Sequence, residues 1–349
     1  MTNAPTPEHL TEVLRRAGEL RHGRVAEVSV ETSRTTIVST ISRLRLSYEG
    51  DPGGSPVRVL QKTPRKDVAA EFSESGCKEA AFYATVAPAL PARVVPRCFE
   101  AVWEPDGGRR HLLLEDLTDS HVAVSDWPVA PTLEQCERIV EAYARFHAFW
   151  WDEPRLGVSV GTFLDDAGFE RFMDDFARRF ASFAGRVGDR LSAERKELYE
   201  RFLRAAPRLL ARYRSHEDLT IVHGDAHVWN LLYPRDPASE RVRLIDWEGW
   251  RVDTATDDLA YMMAVHWYPE RRRRFETALL RRYHAALTEH GVRGYGFEAL
   301  RDDYRLSALW QITTPVWQAT ANLGAWIWWS HLERIMLAVD DLDCRALLD

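Results

Sequence analysis

The stretch His223-Gly224-Asp225-Ala226-His227-Val228-Trp229-Asn230 follows a short apolar run, Leu219 to Val222. A second run, Val242 to Ile245, leads into Asp246-Trp247-Glu248. Short apolar runs bounded by polar residues read as strands, so the sequence presents Asp225, Asn230 and Asp246 just beyond the ends of two adjacent short strands. Carboxylate and amide oxygens are the hard ligands that magnesium takes, and a carboxylate can also orient the proton of a hydroxyl. This is the kit that phosphoryl transfer from a nucleoside triphosphate requires.

Outward from this stretch the chain changes character. Between Val25 and Leu60, Val28, Val30, Ile37, Val38, Ile41, Leu44 and Leu46 are mixed with threonine and serine, a composition that favours strands. Asp51-Pro52-Gly53-Gly54 supplies a turn, so two strands, a loop and a third strand, Val57 to Lys62, are expected. After Pro64 the spacing of Phe72, Ala80, Phe82 and Tyr83 predicts a helix that Pro88 and Pro91 stop. Two further strands, Cys98 to Trp103 and His111 to Glu115, are joined through Gly107-Gly108. Beyond roughly residue 130, Leu133, Cys136, Ile139, Val140, Tyr143 and His147 recur at helical spacing. His147 reads as a packed core histidine. The expected architecture is α+β and two-lobed: an N-terminal antiparallel sheet lobe with one helix, residues 1–117, and a larger, mostly helical lobe, residues 118–349.

Composition narrows the functional classes. With 349 residues the chain exceeds the usual size of one compact core, and clefts between lobes are common ligand sites. Hydrophobic residues at 45% and charged residues at 28% describe an ordinary globular protein. The net charge of -7 has no basic run set against it, which argues against nucleic acid or an anionic membrane as the main partner. Cys77, Cys98, Cys136 and Cys344 form no C-x-x-C pair, so a disulfide framework or zinc site is not expected and a reducing cytoplasm fits. Met1 to Leu20 reads as a first helix, not a targeting segment. Polar residues interrupt Ile312 to Leu332, which is expected to be a buried or cleft-lining helix and not a membrane span. Lysine occurs only as Lys62, Lys66, Lys78 and Lys196, so each one is worth weighing.

On His223 to Asn230, Leu244 to Glu248 and Asp257-Asp258-Leu259-Ala260, the chain resembles the aminoglycoside phosphotransferase and choline kinase-like family, in particular its ecdysteroid kinase-like branch. With the lobe order the resemblance spans most of the chain. It implies a protein-kinase-like fold, ATP and Mg2+ as cofactors, and a small-molecule alcohol as acceptor. It implies that Asp225 is the catalytic base, that Asn230 and Asp246 hold magnesium, that Asp258 braces the catalytic loop, and that His227 approaches the transferred phosphate. It also implies a third-strand lysine oriented by a helix glutamate. Lys62 ends the third expected strand. Glu71, Glu74 and Glu79 are candidates for the glutamate, and Lys78 to Tyr83 looks like the family's helix, which favours Glu79. Leu112 to Leu117 looks like the connection between lobes, where the backbone around Glu115 and Leu117 would meet the adenine edge.

One part departs from that pattern. The first hairpin should close over the phosphates with glycines, whose backbone can approach closely, yet Glu31-Thr32-Ser33-Arg34-Thr35-Thr36 contains none. The hydroxyls of Ser33, Thr35 and Thr36 are the available substitutes. The departure motivates a rival reading, a catalytically silent nucleotide-binding scaffold, and the complete catalytic set stands against it. No G-x-x-x-x-G-K-[ST], H-E-x-x-H or G-x-S-x-G occurs. Only about ten residues separate Asp246 from Asp258, too few for the peptide platform of a protein kinase. An acceptor site is expected among the C-terminal helices, where Trp250, Trp267, Trp310, Trp317, Trp326, Trp328 and Trp329 are concentrated near Glu248, Asp253, Asp257, Asp340 and Asp341. Aromatic faces beside free carboxylates would suit a cationic or ring-bearing acceptor.

Overall fold

The computed structural model describes residues 4–65, 75–91, 93–104 and 108–349. Phe72, Glu71, Glu74 and Gly107, on which parts of the sequence reading fell, lie outside the described residues. In chain order the first elements are α1 (Pro7–Arg16), β1 (Arg24–Thr35), β2 (Ser39–Glu49), β3 (Arg58–Pro64), α2 (Ser75–Ala81), β4 (Cys98–Trp103), β5 (Arg110–Glu115) and β6 (His121–Val122). There follow α3 (Leu133–Trp150), α4 (Asp166–Val187), α5 (Ala193–Leu209), α6 (Ala211–Arg214), β7 (Thr220–Val222), β8 (Leu231–Pro234), β9 (Arg243–Leu244) and β10 (Arg251–Asp253). The chain closes with α7 (Thr256–Ala260), α8 (Pro269–Glu289), α9 (Phe297–Trp310), α10 (Thr313–Thr320) and α11 (Ala325–Asp341). These elements form two compact units, Met1–Ala123 with Leu231–Gly249, and Val124–Asn230 with Trp250–Asp349.

The first unit is built on a five-stranded sheet in the order β1-β2-β3-β5-β4, with every neighbouring pair antiparallel. Helix α1 starts at Thr6, whose side chain accepts the amide of His9, and Pro7 supplies the first helical position, where its missing N–H costs nothing. Its apolar stripe, Leu10, Val13 and Leu14, is buried against Val25, Leu44, Leu46, Val59, Phe99 and Leu113 of the sheet. Helix α2 runs into a π-helical turn, Phe82–Val86, that buries Phe82, Tyr83 and Val86. The chain returns to this unit through β8 and β9, which pair antiparallel with each other, β8 also pairing with β6. In the returning segment Trp247 stacks on Phe82 with ring centroids 3.9 Å apart and planes at 7°. Both side chains are fully buried.

The second unit is helical except for β7 and β10, which pair antiparallel with Val222 opposite Arg251 and Thr220 opposite Asp253. Helix α3 begins with a capping box between Thr132 and Gln135 and packs along α8. The helix expected over Ile312 to Leu332 is instead two, α10 and α11, broken where Asn322 takes a left-handed φ of 61°, a conformation asparagine tolerates better than most residues. Val316, Ala319 and Leu332 are buried there, whereas Trp326 is exposed. Among the described residues no helix is long and apolar enough to cross a membrane.

The Phe82–Trp247 stack joins α2 to a segment distant in sequence, so its loss should be felt across the first unit. Trp247→Ala is expected to cost about 3–5 kcal/mol, read as a lowered urea midpoint at unchanged slope. An unchanged midpoint would show that the stack does not anchor the returning segment.

Candidate active site

In the first unit, β3 carries Lys62 into the sheet between Ile41 and Leu112, and its ammonium meets three carboxylates. Nζ lies 2.6 Å from Glu79 Oε2, 2.5 Å from Asp246 Oδ1 and 3.0 Å from Glu248 Oε1. Glu79 comes from α2, while Asp246 and Glu248 flank buried Trp247 just after β9. Asp246 holds a left-handed φ of 71°, an uncommon conformation for a residue with a Cβ, and from there its carboxylate reaches Lys62. Burial works against the Lys62 ammonium, but Glu79, Asp246 and Glu248 outweigh it and hold its pKa well above the usual lysine value. Burial pushes the Glu79 carboxyl up to about 7, with Lys62 opposing the rise and Asp246 and Glu248 adding to it.

The oxygens of Glu79, Asp246 and Glu248 lie within 4.8 Å of one another. Three carboxylates facing one ammonium leave an excess of negative charge, and an all-oxygen set is what magnesium accepts. The donor set therefore fits a divalent cation. Glu248 entered the sequence reading only as an acidic neighbour of the tryptophans. No period in Asp246-Trp247-Glu248 marks it, because the segment turns into a short 3-10 helix over Trp247–Gly249.

In the second unit the loop after β7 is held from beneath. Asp258 Oδ2 accepts the His223 amide at 2.7 Å and Oδ1 accepts the Gly224 amide at 2.9 Å. Its Oδ2 also meets His147 Nε2 at 3.1 Å, and His147 Nδ1 meets the Tyr283 hydroxyl at 2.7 Å. Burial raises the Asp258 pKa, but His147, His223 and the loop amide together hold it below the usual aspartate value. His147 is a core histidine, as its sequence position suggested, and it also has a polar task within that core. Gly224 has a φ of 77°, a turn that glycine makes without steric cost.

Past that turn Asp225 is 42% exposed at its side chain, which leaves its carboxylate accessible to a substrate. Asn230 Nδ2 donates to Asp225 Oδ2 at 2.8 Å and to its carbonyl at 3.0 Å, fixing the carboxylate from the far end of the loop. His227 Nε2 is 3.6 Å from Asp225 Oδ2. Tyr261, which nothing in the spacing pointed to, is half-buried beside Asp225, and desolvation followed by that carboxylate drives its phenol pKa well upward.

Other candidates are committed to local structure. Ser33 Oγ bonds Ser42 Oγ at 3.1 Å, and the Thr36 hydroxyl donates to the Ser39 carbonyl at 3.1 Å and accepts the Ser39 amide at 3.0 Å. Thr35 pairs with Thr40 in the strands. The Glu115 amide donates to the Arg97 carbonyl at 2.8 Å, and the Leu117 carbonyl accepts the amides of Ser120 and His121. The acidic residues expected near an acceptor each have a basic partner. Glu248 meets Lys62, Asp253 and Asp257 meet Arg251, Asp340 meets Arg345, and Asp341 meets Arg272 and Arg273. Among the tryptophans Trp267 and Trp328 are buried, and Trp310 packs on Phe169, Phe202 and Tyr213. Beside His227 stand Trp229, with Trp127 next to it, and Trp326 next to Trp127.

The antiparallel sheet, its Lys62 paired with Glu79 of α2, the helical second half and its aspartate–asparagine loop are the parts of a protein-kinase-like fold. The sequence profile of the ecdysteroid kinase-like family matches residues 35–293, and the chain belongs to that family. Among solved structures it is similar to a microcompartment-associated aminopropanol kinase, at 14% identity and a TM-score of 0.52 over 97% of this chain and 96% of that one. It is similar to an amicoumacin kinase in complex with AMP-PNP and Ca2+, at 15% identity and 0.52 over 95% and 92%. The GDP complex of an aminoglycoside 2′-phosphotransferase matches at 11% identity and 0.52 over 97% and 98%. At these identities the likeness is one of fold. No curated protein matches the sequence.

Asp258 is buried and charged, so Asp258→Asn leaves the His223 and Gly224 amides with a weaker acceptor and should destabilise the protein by about 3–5 kcal/mol near neutrality. A carboxyl held below its unfolded value stabilises the fold above that value, roughly pH 4, and loses the contribution as pH falls through its folded pKa. The stability gap between wild type and variant should therefore narrow in acid. A gap that stays constant or widens below about pH 4 would contradict an ionised brace.

Proposed function

We propose that the chain is an ATP- and magnesium-dependent phosphotransferase that moves the γ-phosphate to a hydroxyl of a small molecule. The observation that carries this reading is the exposed Asp225 carboxylate, fixed by Asn230 on a loop held by buried Asp258. The buried Lys62 cluster is the second support. Lys62, oriented by Glu79, neutralises the inner phosphates of the nucleotide. Asn230 and Asp246 are assigned to the magnesium ion. A bound ion would supply positive charge that offsets the charge developing on the phosphate oxygens. Asp225 accepts a hydrogen bond from the acceptor hydroxyl, orients its oxygen towards the γ-phosphorus and takes the proton as the new O–P bond forms and the bond from the γ-phosphorus to the bridging oxygen breaks, releasing ADP. His227, 3.6 Å from the same carboxylate, faces the transferred group. Nucleotides in two of the solved neighbours, AMP-PNP and GDP, support nucleotide use. Residues 1–117 are assigned the nucleotide and 118–349 the catalytic loop and acceptor.

A cationic acceptor loses support, because each acidic residue expected to receive one already has a basic partner. Around His227 the neighbours are indole rings and imidazoles that stay neutral near pH 7. Burial pushes His266 well below the usual histidine value, and it pushes His331 down to about 3. Rings without charge favour an uncharged, ring-bearing alcohol.

ADP release measured over a panel of sugars, amino alcohols, antibiotics and lipophilic alcohols is expected to single out an uncharged ring-bearing acceptor. Asp225→Asn should lower kcat by about 10²–10⁴-fold with the nucleotide KM little changed. Undiminished turnover in that variant would remove Asp225 from its role. Thermal stabilisation by ATP and magnesium with no ADP release from any acceptor would replace the enzyme with a nucleotide-binding scaffold.

A further inference from the structure

His9, Glu100 and His111 converge on the first unit, and the phosphoryl-transfer reading uses none of them. His9 Nε2 and His111 Nε2 each lie 2.7 Å from the same oxygen, Glu100 Oε2. The other oxygen, Oε1, accepts Arg16 at 2.7 Å. The two rings stand edge-on to each other, with centroids 6.1 Å apart and planes at 85°. Three elements supply the groups: His9 from the first turn of α1, Glu100 from β4 and His111 from β5. In the β4–β5 register Val102 pairs with His111 and Glu100 with Leu113. Glu100 and His111 are thus diagonal neighbours on one sheet face, the face whose Leu113 is buried under α1. The Thr6 cap fixes the helical turn from which His9 reaches them.

We propose that His9, Glu100 and His111 form a binding site for a zinc-like divalent cation that ties α1 to the β4–β5 hairpin, apart from the magnesium of the reaction. Two imidazole nitrogens and one carboxylate oxygen are a borderline-soft set that suits Zn2+, Co2+ or Ni2+, whereas magnesium prefers oxygen throughout. All three ligand atoms lie within 4.8 Å of one another. Ligands about 2.0–2.1 Å from a tetrahedral zinc stand about 3.3 Å apart, so the two 2.7 Å contacts need open by only about 0.6 Å, a small change in side-chain torsions. Arg16 occupies Oε1 and so presents Oε2 alone to the ion, the orienting role that groups behind metal ligands commonly have. Glu100 and His111 are 8% and 10% exposed at their side chains while His9 is 26% exposed, which gives the ion a way in beside His9. A fourth position is left for water.

The test uses the full-length chain, stripped with chelator and free of nucleotide, titrated with Co2+ alone. Expected is one equivalent that gives the visible absorption of a four- or five-coordinate ion, bleached by Zn2+ and accompanied by a rise in Tm. His9→Gln, on the more exposed ligand, and His111→Gln should each weaken Co2+ binding by at least about tenfold. Asp246→Asn should leave the band in place, because it alters only the carboxylate cluster around Lys62. The proposal is overturned if folded wild-type protein gives no such band. It is equally overturned if the band survives in the His9→Gln, His111→Gln double variant, or vanishes with Asp246→Asn instead. In the first of these outcomes the three residues would be a hydrogen-bonded staple between helix and sheet.

Discussion

A buried ammonium is tolerable only when opposite charge surrounds it, and Lys62 states that constraint for the whole first unit. Its side chain is 11% exposed, so leaving it without a counter-ion would cost several kcal/mol. Three carboxylates meet the demand, one from α2 and two from a segment more than half the chain away. The same constraint therefore explains why Leu231–Gly249 belongs to the first compact unit although it follows the Asp225–Asn230 loop in sequence. The Phe82–Trp247 stack supplies the apolar part of that attachment. Three acids around one lysine over-satisfy the charge, and the surplus is what the proposed divalent cation would meet.

The second unit meets a comparable problem with a carboxylate. Asp258 is fully buried and stays ionised because two loop amides and two histidines face it. That arrangement fixes the backbone of His223 and Gly224, and the left-handed turn at Gly224 then sends Asp225 outward. Buried charge shapes the loop while an exposed carboxylate is left for chemistry. The separation of roles between two aspartates, one buried and one accessible, comes from environment and not from residue type.

Much of this was legible along the chain. β-Branched composition and the Asp51–Gly54 turn predicted β1, β2 and β3, and the spacing from Leu133 to His147 predicted α3, because a helical period reflects a face that must be buried. Asp225, Asn230 and Asp246 stood out by their position after apolar strands, and Lys62 by the scarcity of lysine. Less legible were β6, β8 and β10, two to four residues long, since such pieces are too short to show a period. The break between α10 and α11 rests on one residue, Asn322, whose left-handed backbone no apolar pattern announces. Ser33, Thr36 and the acidic residues of the C-terminal half kept their chemistry in sequence but not their availability. Their partners, Ser42, Ser39 and a series of arginines, are chosen only when the chain closes.

What the linear chain determined by itself is the order of sheet and helices and the identity of the reactive groups, because local period, turn chemistry and spacing after strands are properties of neighbours in sequence. What the tertiary structure alone decided is which charges meet. Glu248 on Lys62, His147 and His223 with Asp258, and His9 with His111 on Glu100 join residues from separate elements. Coulomb and hydrogen-bond energies depend on distance through space, and folding sets that distance where sequence separation does not.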